Sequence, residues 1–245
     1  MSPKLFILTI GILSATEGVA FPTGFVDIKD IAPNIIVETR YSGHHNFVGR
    51  PIEGYHANKC ILTKKAALAL GRIQKKLLKE GLTLKVFDCY RPQRAVNDLI
   101  AWSQTDHEKM KDEFFPNLSK LAISDGRYIS KRSSHSRGST VDVTIAPYRA
   151  TEFPAYALNS PLFPCNGPVQ ERFRENSLDM GTGFDCMDRK AETNYWKLPS
   201  EVKKNRQLLL RVMRQGGFKN YPKEWWHFTL KEEPYPKRFF DFPIH

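Results

Sequence analysis

Ten residues, Ser133-Ser134-His135-Ser136-Arg137-Gly138-Ser139-Thr140-Val141-Asp142, constrain this chain more than any other stretch. The β-branched run from Ser139 to Ile145 (STVDVTI) reads as a strand. On one straight strand, residues seven apart face opposite sides. His135 and Asp142 therefore converge only if His135 sits on a turn ahead of the strand. Gly138, which has no Cβ, makes that turn accessible. Imidazole nitrogen and carboxylate oxygen both suit Zn²⁺. The same residues also fit a plain surface turn with a capping aspartate.

Two further segments carry side chains that complete such a site. In Glu224-Trp225-Trp226-His227, the histidine is a candidate third ligand. A spacing of three on a flat strand would put Glu224 and His227 on opposite faces, so Glu224 belongs on the turn that Tyr221-Pro222 opens. There a carboxylate could take a proton from water and return it to a leaving amine. The two tryptophans could wall the site, or form a core pair with incidental polar neighbours. In Asp88-Cys89-Tyr90-Arg91-Pro92, at a strand-to-helix junction, Arg91 could face an oxyanion or pair with an acid at the surface. Taken together, two close ligands, a distant histidine, a glutamate and an arginine compose a water-activating site. Three N/O ligands leave a fourth position open, whereas closed structural zinc sites use four protein ligands. His44-His45 is the main decoy, and adjacent residues seldom converge on one ion.

The remaining pattern gives the fold class. Thr63 to Glu80 has helical spacing, with Thr63 as N-cap and Gly81 as the stop. Leu82 to Asp88 alternates and reads as a strand. Pro92 opens a helix over Gln93 to Trp102. Phe114 to Ser134 is mixed and loop-rich. Ala146 to Asp179, rich in Pro, Asn, Gly and Ser, reads as a long surface excursion. Pro199 to Gln215 is a helix ended by Gly216-Gly217, and Trp225 to Leu230 a short strand. Helices and strands intersperse without a βαβ rhythm. The expectation is one α+β domain over 21–245 with a small antiparallel sheet.

The first twenty residues read separately. Lys4 precedes an apolar run, Leu5 to Leu13, and Ser14 to Ala20 ends in small residues, the parts of a cleaved secretory signal with a mature start at Phe21. Nine helical residues rise only about 14 Å, short of the roughly 30 Å hydrocarbon core, so an uncleaved anchor fits less well. No later run is long enough to span a bilayer, and the expected location is periplasmic or secreted. All four cysteines lie in the mature part, where an even number suggests disulfides with three possible connectivities. Cys165 and Cys186 flank one loop-rich segment, which favours that pair with Cys60–Cys89 as the second; Cys89 beside Arg91 also fits a free thiol. The net charge of +11 permits attraction to anionic polymers. The basic residues are scattered rather than striped, and with an export signal nucleic acid is not an expected partner.

At these same residues the chain resembles the D-alanyl-D-alanine dipeptidases of the vancomycin-resistance type, a branch of the zinc D,D-peptidases. The matching stretches are RYSGHHNFVGRPIEGY (Arg40 to Tyr55), DCYRPQRAV, FFPN, SSHSRGSTVDVT, MGTGFDCMD, EWWHF and EEPYPKRFFDFP. They recur in family order from about Gly24 to Pro243. The resemblance implies a D,D-peptidase/hedgehog-like fold and one Zn²⁺ per chain on His135, Asp142 and His227. It implies Glu224 as general base and acid, and Arg91 as the stabiliser of the tetrahedral intermediate. Asp185 and Ser133 would hold the substrate's free ammonium, with Tyr41 nearby. A carboxylate placed for an α-ammonium rejects longer chains, because acylating that amine leaves a buried charge unpaired. The implied activity is hydrolysis of free D-Ala-D-Ala. The alternatives are a D,D- or L,D-carboxypeptidase acting on peptidoglycan with the same metal site, or a non-catalytic zinc-stabilised binding module. This chain departs from the resemblance in its signal segment, in a longer insertion between Asp142 and Met180, and in the cysteines of DCYRP and FDCMD.

Overall fold

The computed structural model describes residues 21–124, 128–149 and 155–245. The expected signal, residues 1–20, lies outside the described residues. Along the chain run β1 (Phe25–Asp27), α1 (Ile28–Ile31), β2 (Ile36–Val37), β3 (Ile61–Thr63), α2 (Lys64–Leu78), β4 (Leu82–Asp88) and α3 (Gln93–Ser103). There follow α4 (Lys111–Phe114), α5 (Lys120–Ser124), β5 (Thr140–Pro147), α6 (Ser200–Gln215), β6 (Phe218–Asn220) and β7 (His227–Leu230).

Among the described residues the strands form a five-stranded sheet in the order β2-β4-β5-β7-β6 and a two-stranded sheet of β1 and β3. The expected antiparallel sheet is the run from β4 through β6. Its edge differs: β2 joins β4 in parallel through Ile36 and Val37. Two residues carry too little alternation to be read as a strand.

Local chemistry sets the element ends. The Thr63 hydroxyl accepts from Ala66 N at the start of α2, and Gly81 (φ 70) turns the chain back into β4. Pro92 precedes α3, and Gly216 ends α6. α2 buries Ala66, Leu70, Ile73 and Leu77 in one core with Leu84, Val86, Val141 and Val143 of the sheet and Leu209 and Met213 of α6. Each such large aliphatic side chain contributes about 1.5–3 kcal/mol by leaving water. A second, aromatic-rich core gathers Phe25, Tyr90, Phe114, Phe115 and Phe240.

After β5 the chain makes its long excursion. The described residues from 148 to 188 hold no helix or strand, as the Pro- and Asn-rich composition requires. Leu178 N donates to Ile145 O (2.8 Å) and the buried Lys85 Nζ to Glu175 O (2.7 Å), which ties the excursion to the sheet. Disulfides Cys60–Cys89 and Cys165–Cys186 form the pairing that the sequence favours.

Candidate active site

Strand register assembles the centre. Asp88 of β4 pairs with Asp142 of β5, and Asp142 pairs with His227 of β7. Directly opposed residues on neighbouring strands share a face with Cβ atoms about 5 Å apart. One row across three strands thus holds two carboxylates and an imidazole. His135 arrives from the 3₁₀ turn Ser134–Arg137 ahead of β5, and Gly138 (φ 75) reverses the chain by donating N–H to His135 O at 2.9 Å. A Cβ at Gly138 would lie 2.2 Å from Phe25 Cε1, so only glycine fits the turn.

Three atoms converge. His135 Nε2 lies 3.3 Å and His227 Nδ1 3.1 Å from Asp142 Oδ1, and the two nitrogens are 3.4 Å apart. Ligands about 2.1 Å from a tetrahedral Zn²⁺ stand about 3.4 Å from one another, so the spacing suits that ion. The donor chemistry agrees. Asp142 Oδ1 is buried and meets no donor in hydrogen-bonding geometry, a costly state for a carboxylate oxygen unless a cation covers it. The tautomer of His135 is also set. His135 Nδ1 lies 2.7 Å from Cys89 O, which only accepts; Nδ1 carries the proton, and Nε2 turns a lone pair to the centre. Ser134 Oγ sits 3.1 Å from His227 Nε2 and can accept its proton, the arrangement that leaves the Nδ1 lone pair facing the centre.

The other expected residues surround these three. Glu224 sits on the turn ahead of β7, its N–H on Tyr221 O (3.1 Å) and its Oε2 3.4 Å from His227 Nδ1. Burial raises its carboxyl to about 7, against the pull of His227 and with the push of Asp142. Arg91 Nε and Nη2 hold Asp88 Oδ2 at 2.9 and 2.8 Å, and Nη2 comes within 3.8 Å of Asp142 Oδ2. The guanidinium covers the Tyr41 ring at 4.7 Å, and Tyr41 donates its hydroxyl to Asp185 Oδ2 at 2.7 Å. Asp185 adopts a left-handed backbone (φ 55). Burial, reinforced by the charge of Asp142, pushes its carboxyl well above the usual carboxylate range. The Ser133 hydroxyl accepts from His135 N at 3.3 Å and caps the turn.

All eight expected site residues line one cavity of about 320 Å³, at the small end for ligand sites. Of the two tryptophans, Trp226 lines it, while Trp225 is core and donates Nε1–H to Thr182 Oγ1 (2.8 Å). A larger cavity of about 510 Å³ opens beside Arg40, His45 and Lys85. Its buried cations already face Glu38 and Glu175, so the convergent chemistry belongs to the smaller one.

The family model described as D-ala-D-ala dipeptidase matches residues 22–151 and 171–245. The chain belongs to that family. It is 35% identical to a D-alanyl-D-alanine dipeptidase of Streptomyces coelicolor over 90% of this chain and 98% of that one. It is 31% identical to one of Enterococcus faecium, with the same coverage. A solved vancomycin-resistance D,D-dipeptidase, in complex with a D-Ala-D-Ala phosphinate analog, is a remoter likeness. It is 13% identical, with a TM-score of 0.34, over 86% of this chain and 67% of that one. Residues 152–170, which include Cys165, fall outside the match to the dipeptidase family.

Sequence reasoning assigned no role to Asp88, Tyr55 or Ser134. Asp88 is fully buried and accepts from Tyr55 OH (2.6 Å) and Cys89 N (2.9 Å) besides Arg91. The signal was an acidic residue closing a predicted strand, where a charge turned inward needs several partners.

Proposed function

We propose that this protein hydrolyses the free dipeptide D-alanyl-D-alanine to two D-alanines, with one Zn²⁺ held by His135, Asp142 and His227. The observation that carries the reading is the three-atom cluster with Glu224 3.4 Å from its edge. When bound, the ion supplies Lewis acidity, polarising the scissile carbonyl and making water more acidic. Glu224 takes a proton from the attacking water on its carboxylate and delivers it to the nitrogen of the departing D-alanine. Arg91, aimed by Asp88, donates N–H to the carbonyl oxygen as it becomes anionic. Asp185 receives the substrate's α-ammonium, Tyr41 fixes Asp185, and Ser133 offers a second acceptor. A substrate whose amine is acylated brings no cation to Asp185, which favours the free dipeptide over a peptidoglycan stem.

Residues 1–20 act as a signal, and one domain from Phe21 to His245 works in the periplasm or outside the cell. Two disulfides support an oxidising compartment. Among the described residues no helix is long and apolar enough to cross a membrane. The test assays the zinc-loaded mature protein on D-Ala-D-Ala and on a pentapeptide ending in D-Ala-D-Ala. Release of D-alanine from the dipeptide is the expected result. Cleavage of the pentapeptide alone would identify a carboxypeptidase, and cleavage of neither at full metal content would identify a binding module.

A further inference from the structure

Each disulfide joins the chain beside a residue of the site, and they join different halves of it. Cys89 lies between Asp88 and Arg91. Its carbonyl holds His135 Nδ1 (2.7 Å), and its N–H holds Asp88 Oδ1 (2.9 Å). Asp88 in turn grips Arg91. The partner, Cys60, is rooted in the core: its carbonyl accepts from Ile28 N (2.9 Å), and Ile61 O, next in the chain, accepts from Tyr90 N (2.9 Å). Cys186 directly follows Asp185, whose left-handed backbone few non-glycine residues adopt unaided. Its partner Cys165 accepts from Gly183 N and donates to Glu113 O, both at 2.9 Å, while Met187 N bonds Phe114 O (2.8 Å). Cys165 comes from the stretch 152–170 that the family model does not match. All four cysteines are buried, and fixing a chain on both sides of one residue limits where that residue points.

We propose that the two bridges are separate positioning elements of the catalytic centre. Cys60–Cys89 fixes the metal and oxyanion half through His135, Asp88 and Arg91. Cys165–Cys186 fixes the ammonium half by holding Asp185 in place. The inference rests on the roles given to those residues under the proposed function. It makes the insertion a part of substrate recognition, since that segment supplies the anchor for Asp185.

The test replaces each bridge separately, as Cys60→Ala/Cys89→Ala and as Cys165→Ala/Cys186→Ala. Zinc affinity is read by competition with a chromophoric chelator, kcat and KM for D-Ala-D-Ala on zinc-saturated protein, and Tm by circular dichroism. Loss of Cys60–Cys89 is expected to weaken zinc binding about 10–100-fold, the usual effect of losing the partner that orients a ligand, and to lower kcat with KM little changed. Loss of Cys165–Cys186 is expected to leave zinc affinity within about twofold and to raise KM about tenfold or more, the loss expected of a charged hydrogen bond. Two variants that differ from the parent in Tm alone would overturn the proposal, as would two that lose the same parameter. If an alanine pair does not fold, Cys60→Val/Cys89→Ala or Cys165→Val/Cys186→Ala, which refill the space, are read instead. Failure of those to fold would make the bridges supports of the fold and not of the site. A parent protein that binds zinc but leaves D-Ala-D-Ala intact would refute the proposed reaction while the zinc measurement still judges the first bridge.

Discussion

Replacing Glu224 by glutamine isolates the proton-transfer step. Glutamine keeps the size of the side chain but cannot take up a proton. A neutral amide of the same size is no costlier to bury than a carboxylate, so the melting temperature is expected to hold. The converging ligand atoms belong to His135, Asp142 and His227, so zinc affinity is expected to stay within a few-fold. What is lost, on the proposed reaction, is the general base and acid, worth about 10²–10⁴ in rate. At about 1.4 kcal/mol for each power of ten, this is roughly 3–5 kcal/mol of activation free energy. The assay follows D-alanine release by zinc-loaded Glu224→Gln beside the parent, with metal content and melting curves on the same samples. A variant that keeps more than about a tenth of the parental kcat at full metal content refutes the role given to Glu224.

Three other expectations are independent of it. Asp185→Asn removes the proposed partner of the α-ammonium and should raise KM for D-Ala-D-Ala about 10–100-fold with zinc affinity unchanged; an unaltered KM would place the ammonium elsewhere. Gly138→Ala forces a Cβ to within 2.2 Å of Phe25 at φ 75, and should cost about 2–5 kcal/mol in urea unfolding; a change below about 1 kcal/mol would show that the turn yields easily. Glu113 supplies a pH signature remote from the metal. It faces His45 Nε2 at 2.7 Å, and burial lifts its carboxyl from 4.5 to about 8, with Arg40 opposing and Glu175 reinforcing. A carboxyl raised in this way makes the folded state the tighter proton binder. Its stabilising effect is full below pH 4.5 and is lost as pH climbs to about 8, by at most about 1.4 kcal/mol per unit. Urea midpoints between pH 5 and 8 should fall in the parent and fall less steeply in Glu113→Gln; equal slopes would exclude Glu113 as a source.

The parts of this molecule that were readable in one dimension are those governed by neighbours in the chain. Thr63, Gly81, Pro92 and Gly216 mark element ends through local hydrogen bonds and backbone freedom, and each does so in the structure. The turn before β5 and the turn before β7 follow from the facing rule for strands, which placed His135 and Glu224 off the strands that carry Asp142 and His227. Partnerships between distant residues were less legible. Nothing near Asp88 in the chain announces Tyr55, and no local pattern pairs Arg91 with Asp88 in preference to a surface acid. The two tryptophans divide between wall and core, Trp226 lining the cavity and Trp225 bonded to Thr182, a difference that their shared residue type does not announce.

The row Asp88–Asp142–His227 spans three adjacent strands at one level of the sheet. Sliding β7 past β5 by a single position would carry the imidazole to the reverse side of the sheet. A chain zipped up out of step would lose the approach of His227 to Asp142, and with it the seat for an ion.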